Sequence, residues 1–371
     1  MRKVAVLALF VAALAATPSA FAGGKAPVVF VQTNELNGNH VVVYDRGTDG
    51  RLSEAGSYAT TGNGGAAAPG TESDRLASQG SLAYDAGHSL LIAVNAGSDS
   101  ISAFKVQGDR LKLVNVLPSG GRFPASIAVH GNLVYVLNSG GAGIVQGFRI
   151  QGHNVVAIPD SARSLALANT DPPFFLTSPG QVGFTPDGAK LLVTTKASTS
   201  AIDVFAVQSD GRLSAAPVVN PSATPVPFAF TFAPSGRLVD GEAGTSSVTT
   251  YAVQGDRSLA DPKSLSDGQA ALCWITPARG FYYVANTGSN TLSGFTIAAD
   301  GQPSLIGATG VVATTAPGPI DLAASSDGRF LYGETGLTST VDEYQVESDG
   351  SLTKLGTVTG LPPGIEGIAA S

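Results

Sequence analysis

The feature that most constrains the fold is a short turn that recurs along the 371-residue chain. Each copy pairs glycine with aspartate or, once, with histidine. The seven copies stand at residues 49–50, 108–109, 152–153, 210–211, 255–256, 300–301 and 349–350. Because glycine and aspartate tolerate the positive φ of tight hairpins, each copy predicts a connection between two adjacent antiparallel strands. Steps of 44 or 45 residues recur between the turns, and two longer steps of 59 and 58 residues contain insertions at residues 60–78 and 159–177.

Each repeated unit holds four short stretches with the two-residue periodicity of β-strands. In the second unit these stretches are residues 81–84, 89–94, 101–106 and 111–116. The sixth unit repeats the pattern at residues 273–275, 281–285 and 292–297. Four-stranded units of about 45 residues are typical of propeller blades.

The two ends of the chain indicate that the seven units form a closed ring. Residues 28–58 supply only three strands, and the missing innermost strand is at the other terminus, where residues 367–371 parallel residues 321–325. The sequence therefore predicts an all-β fold, a seven-bladed β-propeller with four antiparallel strands per blade. The C-terminal strand completes the N-terminal blade, and the closed ring leaves no free sheet edge.

The N-terminus has the pattern of an export signal. Arg2 and Lys3 precede an apolar run at residues 4–16, and small residues stand at the two positions that signal peptidase reads before Gly23. Thirteen apolar residues are too few to span a bilayer, which takes about 20. We therefore expect cleavage near Ala22 and export to the periplasm or out of the cell.

This division leaves a signal peptide at residues 1–22 and a single propeller domain at residues 23–371. The formal charge of −7 argues against nucleic acid as a partner, since nucleic-acid binding needs a basic face. No segment after the signal is long enough for a membrane span, and a monomer is expected. One cysteine excludes a disulfide framework, and the four histidines have no metal-ligand spacing. We expect no metal and no cofactor.

The sequence FYYVANTGSNT at residues 281–291 resembles the YVTN-type repeats of the seven-bladed lactonase-like propellers. That family includes the propeller-type 6-phosphogluconolactonases and the carboxymuconate-lactonizing enzymes, and the resemblance covers residues 26–371. It implies hydrolysis of a small sugar or organic-acid lactone. In the fourth blade, however, Gly180 and Gln181 stand where the family has arginine and histidine, and Lys196 stands where an acidic residue is common.

Candidate site residues are the polar positions where inner strands begin and second strands end. Lactone hydrolysis needs a base for water and a donor for the developing oxyanion. We expect one of three carboxylates to be the base, namely Asp321, Glu334 or Glu242. The predicted substrate-binding residues are Gln181, Lys196, Asn95, Asn286, Ser126 and Trp274. Asparagine at a strand end is also a common turn former, so a structural role for these amides is the competing interpretation.

Two further features accompany the predicted site. Cys273 lies on an inner strand and is expected to be a packed, inert thiol. Phe174 and Phe175, in the second insertion, would form an apolar lip over the channel if exposed. The alternative function is a non-catalytic propeller that binds a ligand or a protein through the face that carries the loops of the predicted site. The missing arginine and histidine favour this alternative.

Overall fold

A computed structural model describes residues 27–68 and 72–371, so the predicted signal peptide lies outside the described residues. The described chain forms seven antiparallel sheets. The strands of the first four blades are β1 Val28–Gln32, β2 His40–Arg46 and β3 Leu52–Ala59; β4 Leu82–Asp85, β5 Leu90–Asn95, β6 Ser100–Gln107 and β7 Arg110–Pro118; β8 Pro124–His130, β9 Leu133–Asn138, β10 Ile144–Gln151, β11 Asn154–Ala157 and β12 Arg163–Ser164; β13 Val182–Phe184, β14 Lys190–Thr194, β15 Ala201–Ala206 and β16 Val218–Pro221.

The last three blades continue the same meander. Their strands are β17 Pro227–Phe232, β18 Leu238–Glu242, β19 Ser247–Val253 and β20 Leu259–Ser266; β21 Leu272–Ala278, β22 Phe281–Asn286, β23 Thr291–Ile297, β24 Pro303–Leu305 and β25 Val311–Thr314; β26 Pro319–Ala324, β27 Phe330–Thr335, β28 Thr340–Val346 and β29 Leu352–Val358. Within the described residues, helix is limited to the one-turn segments Ala96–Ser98 and Lys196–Thr199. Neither is long and apolar enough to cross a membrane.

The final strand, β30 Ile368–Ala370, pairs antiparallel with β1 and is the innermost strand of the first blade. The register places Val29 opposite Ala370 and Val31 opposite Ile368. The predicted seven-bladed propeller, with a first blade built from both ends of the chain, is therefore confirmed.

The repeated turn is held by the neighbouring blade. The hydroxyl of Tyr332 on β27 donates to the carbonyl of Gly50 at 2.8 Å, and Tyr283 makes the same bond to Gly350. Gly50 has a φ of +87°, and a Cβ there would lie 2.2 Å from the ring of Phe330. These two turns are thus docking points between blades as well as the ends of hairpins.

Candidate functional site

Residues 72–80, which lead from the first insertion towards β4, pass through the centre of the ring, and we call this segment the channel plug. The side chain of Gln79 exchanges hydrogen bonds with the backbone of Ile275 on the inner strand of blade six, at 2.9 and 3.1 Å. Its carbonyl accepts from Ser126 Oγ on the inner strand of blade three, at 2.6 Å. Since inner strands line the channel, a segment bonded to opposite blades must cross it. The plug therefore lies inside the channel and not on the outer face.

Lys196 is buried against the plug. Its Nζ donates to the carbonyl of Ala77 at 2.6 Å and to Ser178 Oγ at 2.8 Å. The ammonium also lies 4.9 Å from the ring centre of Phe175 and 5.1 Å from that of Phe228, within reach of cation–π attraction. Burial lowers the pKa of Lys196 to about 8, although Asp74 nearby opposes the shift. The lysine holds the plug in place.

Asp321 and Glu334 lie beside the plug and are buried. Asp321 accepts backbone N–H groups from Leu322, Ile368 and Gly80 of the plug, while burial raises its pKa to about 8. Glu334 accepts the backbone N–H of Gly367 at 3.0 Å. Burial and the charge of Asp321 raise the pKa of Glu334 well above its ordinary value. Both carboxyl groups therefore favour the protonated form in the closed channel.

The plug also contacts Trp274, whose indole N–H donates to the carbonyl of Ser78 at 3.1 Å. Gln181 is half-buried, and its amide bonds the backbone of Phe230 in the next blade at 2.7 and 3.1 Å. The structure thus brings Ser126, Lys196 and Trp274 onto the plug, whereas the amide of Gln181 is engaged between two blades.

The other three predicted residues lie inside single blades or between neighbouring blades. Glu242 accepts hydrogen bonds from the hydroxyls of Thr224, Thr249 and Tyr251, and burial raises its pKa. Asn95 donates to Ser100 and Ser102, and Asn286 donates to Thr291 and Ser293. These contacts match the structural interpretation of the strand-end amides, since each asparagine fastens the start of the following strand.

Cys273 is buried, as predicted, and burial strongly raises the pKa of its thiol. The expected apolar lip is only half present. Phe174 is 44% exposed, but Phe175 is partly buried and its ring packs against Phe228 with ring centres 6.4 Å apart. Phe175 therefore forms part of the wall around Lys196 rather than an exposed lip.

An open cavity of about 560 Å³ lies next to the plug on the face that carries the insertions. Four chain segments line it, and three of them also carry the buried carboxylates Asp74, Glu334 and Glu366. The lining side chains that bear polar groups are Glu72, Arg75, Thr338 and Ser339. The volume is in the range of small-molecule sites.

Sequence reasoning missed the charged residues of this region, namely Glu72, Asp74, Arg75 and Glu366. The repeat alignment could not place Glu72, Asp74 and Arg75, because the insertion has no counterpart in the other blades, and Glu366 lies just before the closing strand, outside the aligned positions. A signal was nevertheless present. A run of charged and hydroxyl residues at positions 71–75 follows a glycine- and alanine-rich stretch, and such a contrast marks a segment with its own contacts.

Comparisons with known proteins agree with this architecture. Residues 24–155 match the model of a lactonase family described as seven-bladed β-propellers. The search of curated proteins gives no significant sequence match.

Solved structures give the same fold. A protein from Lactobacillus plantarum has a TM-score of 0.73 at 20% identity, over 94% of this chain and 100% of the other. A proposed 6-phosphogluconolactonase of Bacteroides uniformis gives 0.71 at 17% identity, over 92% and 99%. A periplasmic gluconolactonase of Pseudomonas aeruginosa gives 0.68 at 16% identity, over 92% and 99%. The chain is thus similar to the seven-bladed β-propeller lactonases, in sequence over residues 24–155 and in fold around the ring.

Proposed function

We propose that this chain is an exported lactonase-like hydrolase that opens a small sugar or organic-acid lactone. One observation carries the proposal: the open cavity beside the plug is lined by a carboxylate, Glu72, and a guanidinium, Arg75. Support also comes from the matching lactonase family and from the gluconolactonase with the same fold.

These two side chains supply the groups that lactone hydrolysis needs. A carboxylate at Glu72 can take a proton from water as the water oxygen adds to the lactone carbonyl. Arg75 can donate to the oxyanion that forms on the carbonyl oxygen. The ring C–O bond then breaks, the alkoxide takes up the proton, and the product is an open-chain hydroxy acid.

The three carboxylates predicted from the sequence remain candidate bases only if a substrate can reach them. They are Asp321, Glu334 and Glu242. Asp321 and Glu334 are at most 3% exposed and lie beside the plug, so either can touch a substrate only after the plug moves. The same condition applies to Lys196. Glu242 has its carboxylate oxygens occupied by three hydroxyls and lies away from the cavity lining. The open cavity is therefore the simpler catalytic site, because a substrate can enter it without movement of the plug.

The test is hydrolysis of a panel of aldonolactones by the purified mature protein, followed as acid release. Glu72→Gln should reduce the rate by roughly 10²–10⁴-fold, the usual contribution of a general base. Glu54→Gln is a matched control, because Glu54 is exposed and does not line the cavity. The double change Asp321→Asn with Glu334→Gln should leave the rate within a few-fold of the wild type. Loss of turnover in the double variant alone would move the base into the channel.

A non-catalytic ligand-binding propeller is the second candidate. Gly180 and Gln181 in place of the family arginine and histidine favour it, as does the hydrogen bonding that fully engages the amide of Gln181. A folded wild-type protein that turns over no lactone in the panel, yet binds one by calorimetry, would support this alternative.

Export rests on the N-terminal pattern of residues 1–22. If the signal is cleaved as we propose, N-terminal sequencing of protein recovered from the periplasm or the medium should begin at Gly23. Protein found only in the cytoplasm and retaining Met1 would contradict export.

A further inference from the structure

We infer that the channel plug is a pH-dependent gate, held closed by a proton that Asp74 of the plug shares with Glu366 of the C-terminal segment. This inference goes beyond the proposed activity and does not depend on it. The experiment below measures the exposure of two side chains in the channel and not lactone turnover. The gate can therefore be refuted while the catalytic proposal stands, and the catalytic proposal can be refuted while the gate stands.

The contacts of the pair point to a shared proton. The carboxyl groups of Asp74 and Glu366 hydrogen-bond to each other, and two ionised carboxylates are both acceptors, so one of them must carry a proton. The backbone N–H of Leu76 donates to Glu366 Oε2 at 2.6 Å, and that of Ala77 donates to Asp74 Oδ1 at 2.7 Å. The remaining oxygens, Asp74 Oδ2 and Glu366 Oε1, are buried and accept from no N–H or O–H group of the described residues. These two oxygens are left to share the proton.

The pair holds the plug against the C-terminal segment. Asp74 and Leu76 belong to the plug, whereas Glu366 precedes β30, the strand that closes the ring, so the contact joins segments 290 residues apart. Both side chains are almost completely excluded from water, at 2% exposed for Asp74 and 0% for Glu366. A second negative charge formed there would have no solvent to stabilise it.

The surrounding charges decide the direction of the response. Lys196 faces the pair and favours its ionised form, whereas ionisation of Asp321 would disfavour it. Burial is the largest effect and raises the pKa of both Asp74 and Glu366. A carboxyl group with a raised pKa contributes stability that is complete below its ordinary pKa and is lost as the pH rises through the raised value. The gate therefore opens on the alkaline side.

Opening would uncover the channel beneath the plug. Opening must also break the other contacts of the plug, which are neutral hydrogen bonds to Ala125, Trp274 and Ile275 and the bond from the Lys196 ammonium to Ala77. Lys196, Cys273 and Trp274 are the side chains that the plug covers, and all three are at most 4% exposed when it is in place. A ligand drawn to an ammonium beside an indole would gain access only in the open form.

The chain carries its own reporters, because Trp274 is its one tryptophan and Cys273 its one cysteine. The experiment follows tryptophan emission and the rate of reaction with a disulfide reagent from about pH 5 to about pH 9, a range that spans raised carboxyl pKa values. In the wild type the emission should shift to the red and the thiol should become reactive as the pH rises.

Glu366→Gln is the decisive variant. Its amide keeps the shape, donates permanently to Asp74 and still accepts from Leu76, so the plug should stay closed over the whole range. The intrinsic ionisation of the thiol and the titration of Lys196 are common to both proteins. The ratio of wild-type to variant thiol reaction rates should therefore rise by about tenfold per pH unit above the pKa of the pair.

Two more variants keep the inference falsifiable. Asp74→Asn places the permanent donor on the other partner and should also hold the gate closed, which covers the case in which Glu366→Gln does not fold. Asp203→Asn is the matched control, since burial raises the pKa of Asp203 to about 6 in blade four, away from the plug. It should keep the wild-type response. A wild-type to Glu366→Gln ratio that does not change with pH, or a response lost in Asp203→Asn, would overturn the gate.

Discussion

Removal of residues 365–371 should open the ring. The deletion takes away β30, the innermost strand of the first blade, together with the segment that leads into it. The backbone of β1 would then present unpaired groups to the channel, and both Phe30 and Val31 would lose the cover of the closing strand. An exposed strand edge of this kind promotes association between chains.

The expected loss is close to the whole stability of a domain. Ile365 and Ile368 are 1% and 6% exposed, and full burial of such a side chain is worth about 1.5–3 kcal/mol. Each hydrogen bond to β1, such as Gln32 N to Gly367 O at 2.7 Å, adds about 0.5–1.5 kcal/mol. A total of several kcal/mol compares with a usual net stability of about 5–15 kcal/mol.

The assay is urea unfolding followed by far-UV circular dichroism, with size-exclusion chromatography to detect aggregation. Ile368→Ala is the milder form of the same perturbation, leaves Glu366 in place and should cost about 2–5 kcal/mol. Val219→Ala is the matched control, because Val219 is 57% exposed on a strand, and it should change stability by no more than about 0.5 kcal/mol. A truncated protein that stays monomeric with an unchanged urea midpoint would refute ring closure by β30.

Two other predictions concern buried ionisable groups. Cys273→Ser should leave any lactone turnover within a few-fold of the wild type, because no catalytic role falls on the buried thiol; loss of activity in a protein with a normal unfolding midpoint would show the opposite. Asp240 is fully buried with neither carboxyl oxygen hydrogen-bonded, and burial raises its pKa well above the ordinary value, so its contribution to stability is lost as the pH rises. Asp240→Asn should therefore raise the urea midpoint at neutral pH and flatten its dependence on pH, and a midpoint that falls at every pH would contradict this reasoning.

The fold could be predicted because each blade is specified locally. The strand pattern and the glycine turn of each blade both fall within a stretch of about 45 residues. The same pattern recurs seven times along the chain, so each copy supports the assignment of the others. Even the closing strand was visible, since residues 367–371 repeat a pattern seen at residues 321–325. The boundaries of β4 differ by one residue from the predicted residues 81–84.

The channel plug could not be predicted in the same way. It depends on contacts such as Lys196 with Ala77, 119 residues apart, and Leu76 with Glu366, 290 residues apart. In each pair one partner, Ala77 or Leu76, lies in the insertion, which has no counterpart in the other blades, so the repeat pattern does not predict the contact. Alignment of the blades placed Asp321, Glu334 and Lys196 near the channel, but the insertion decides whether any of them meets solvent.

The first blade has a consequence for how the protein is made. Six blades consist of neighbouring hairpins and can form in order as the chain emerges, whereas the first must wait for the last residues to be synthesised. Val28 and Ser371 are hydrogen-bonded across 343 residues of sequence, a separation that makes closure the slowest kind of contact to find. Every growing chain therefore passes through a stage in which most blades are complete but the ring is open. That open ring is the species on which a chaperone or a protease would act.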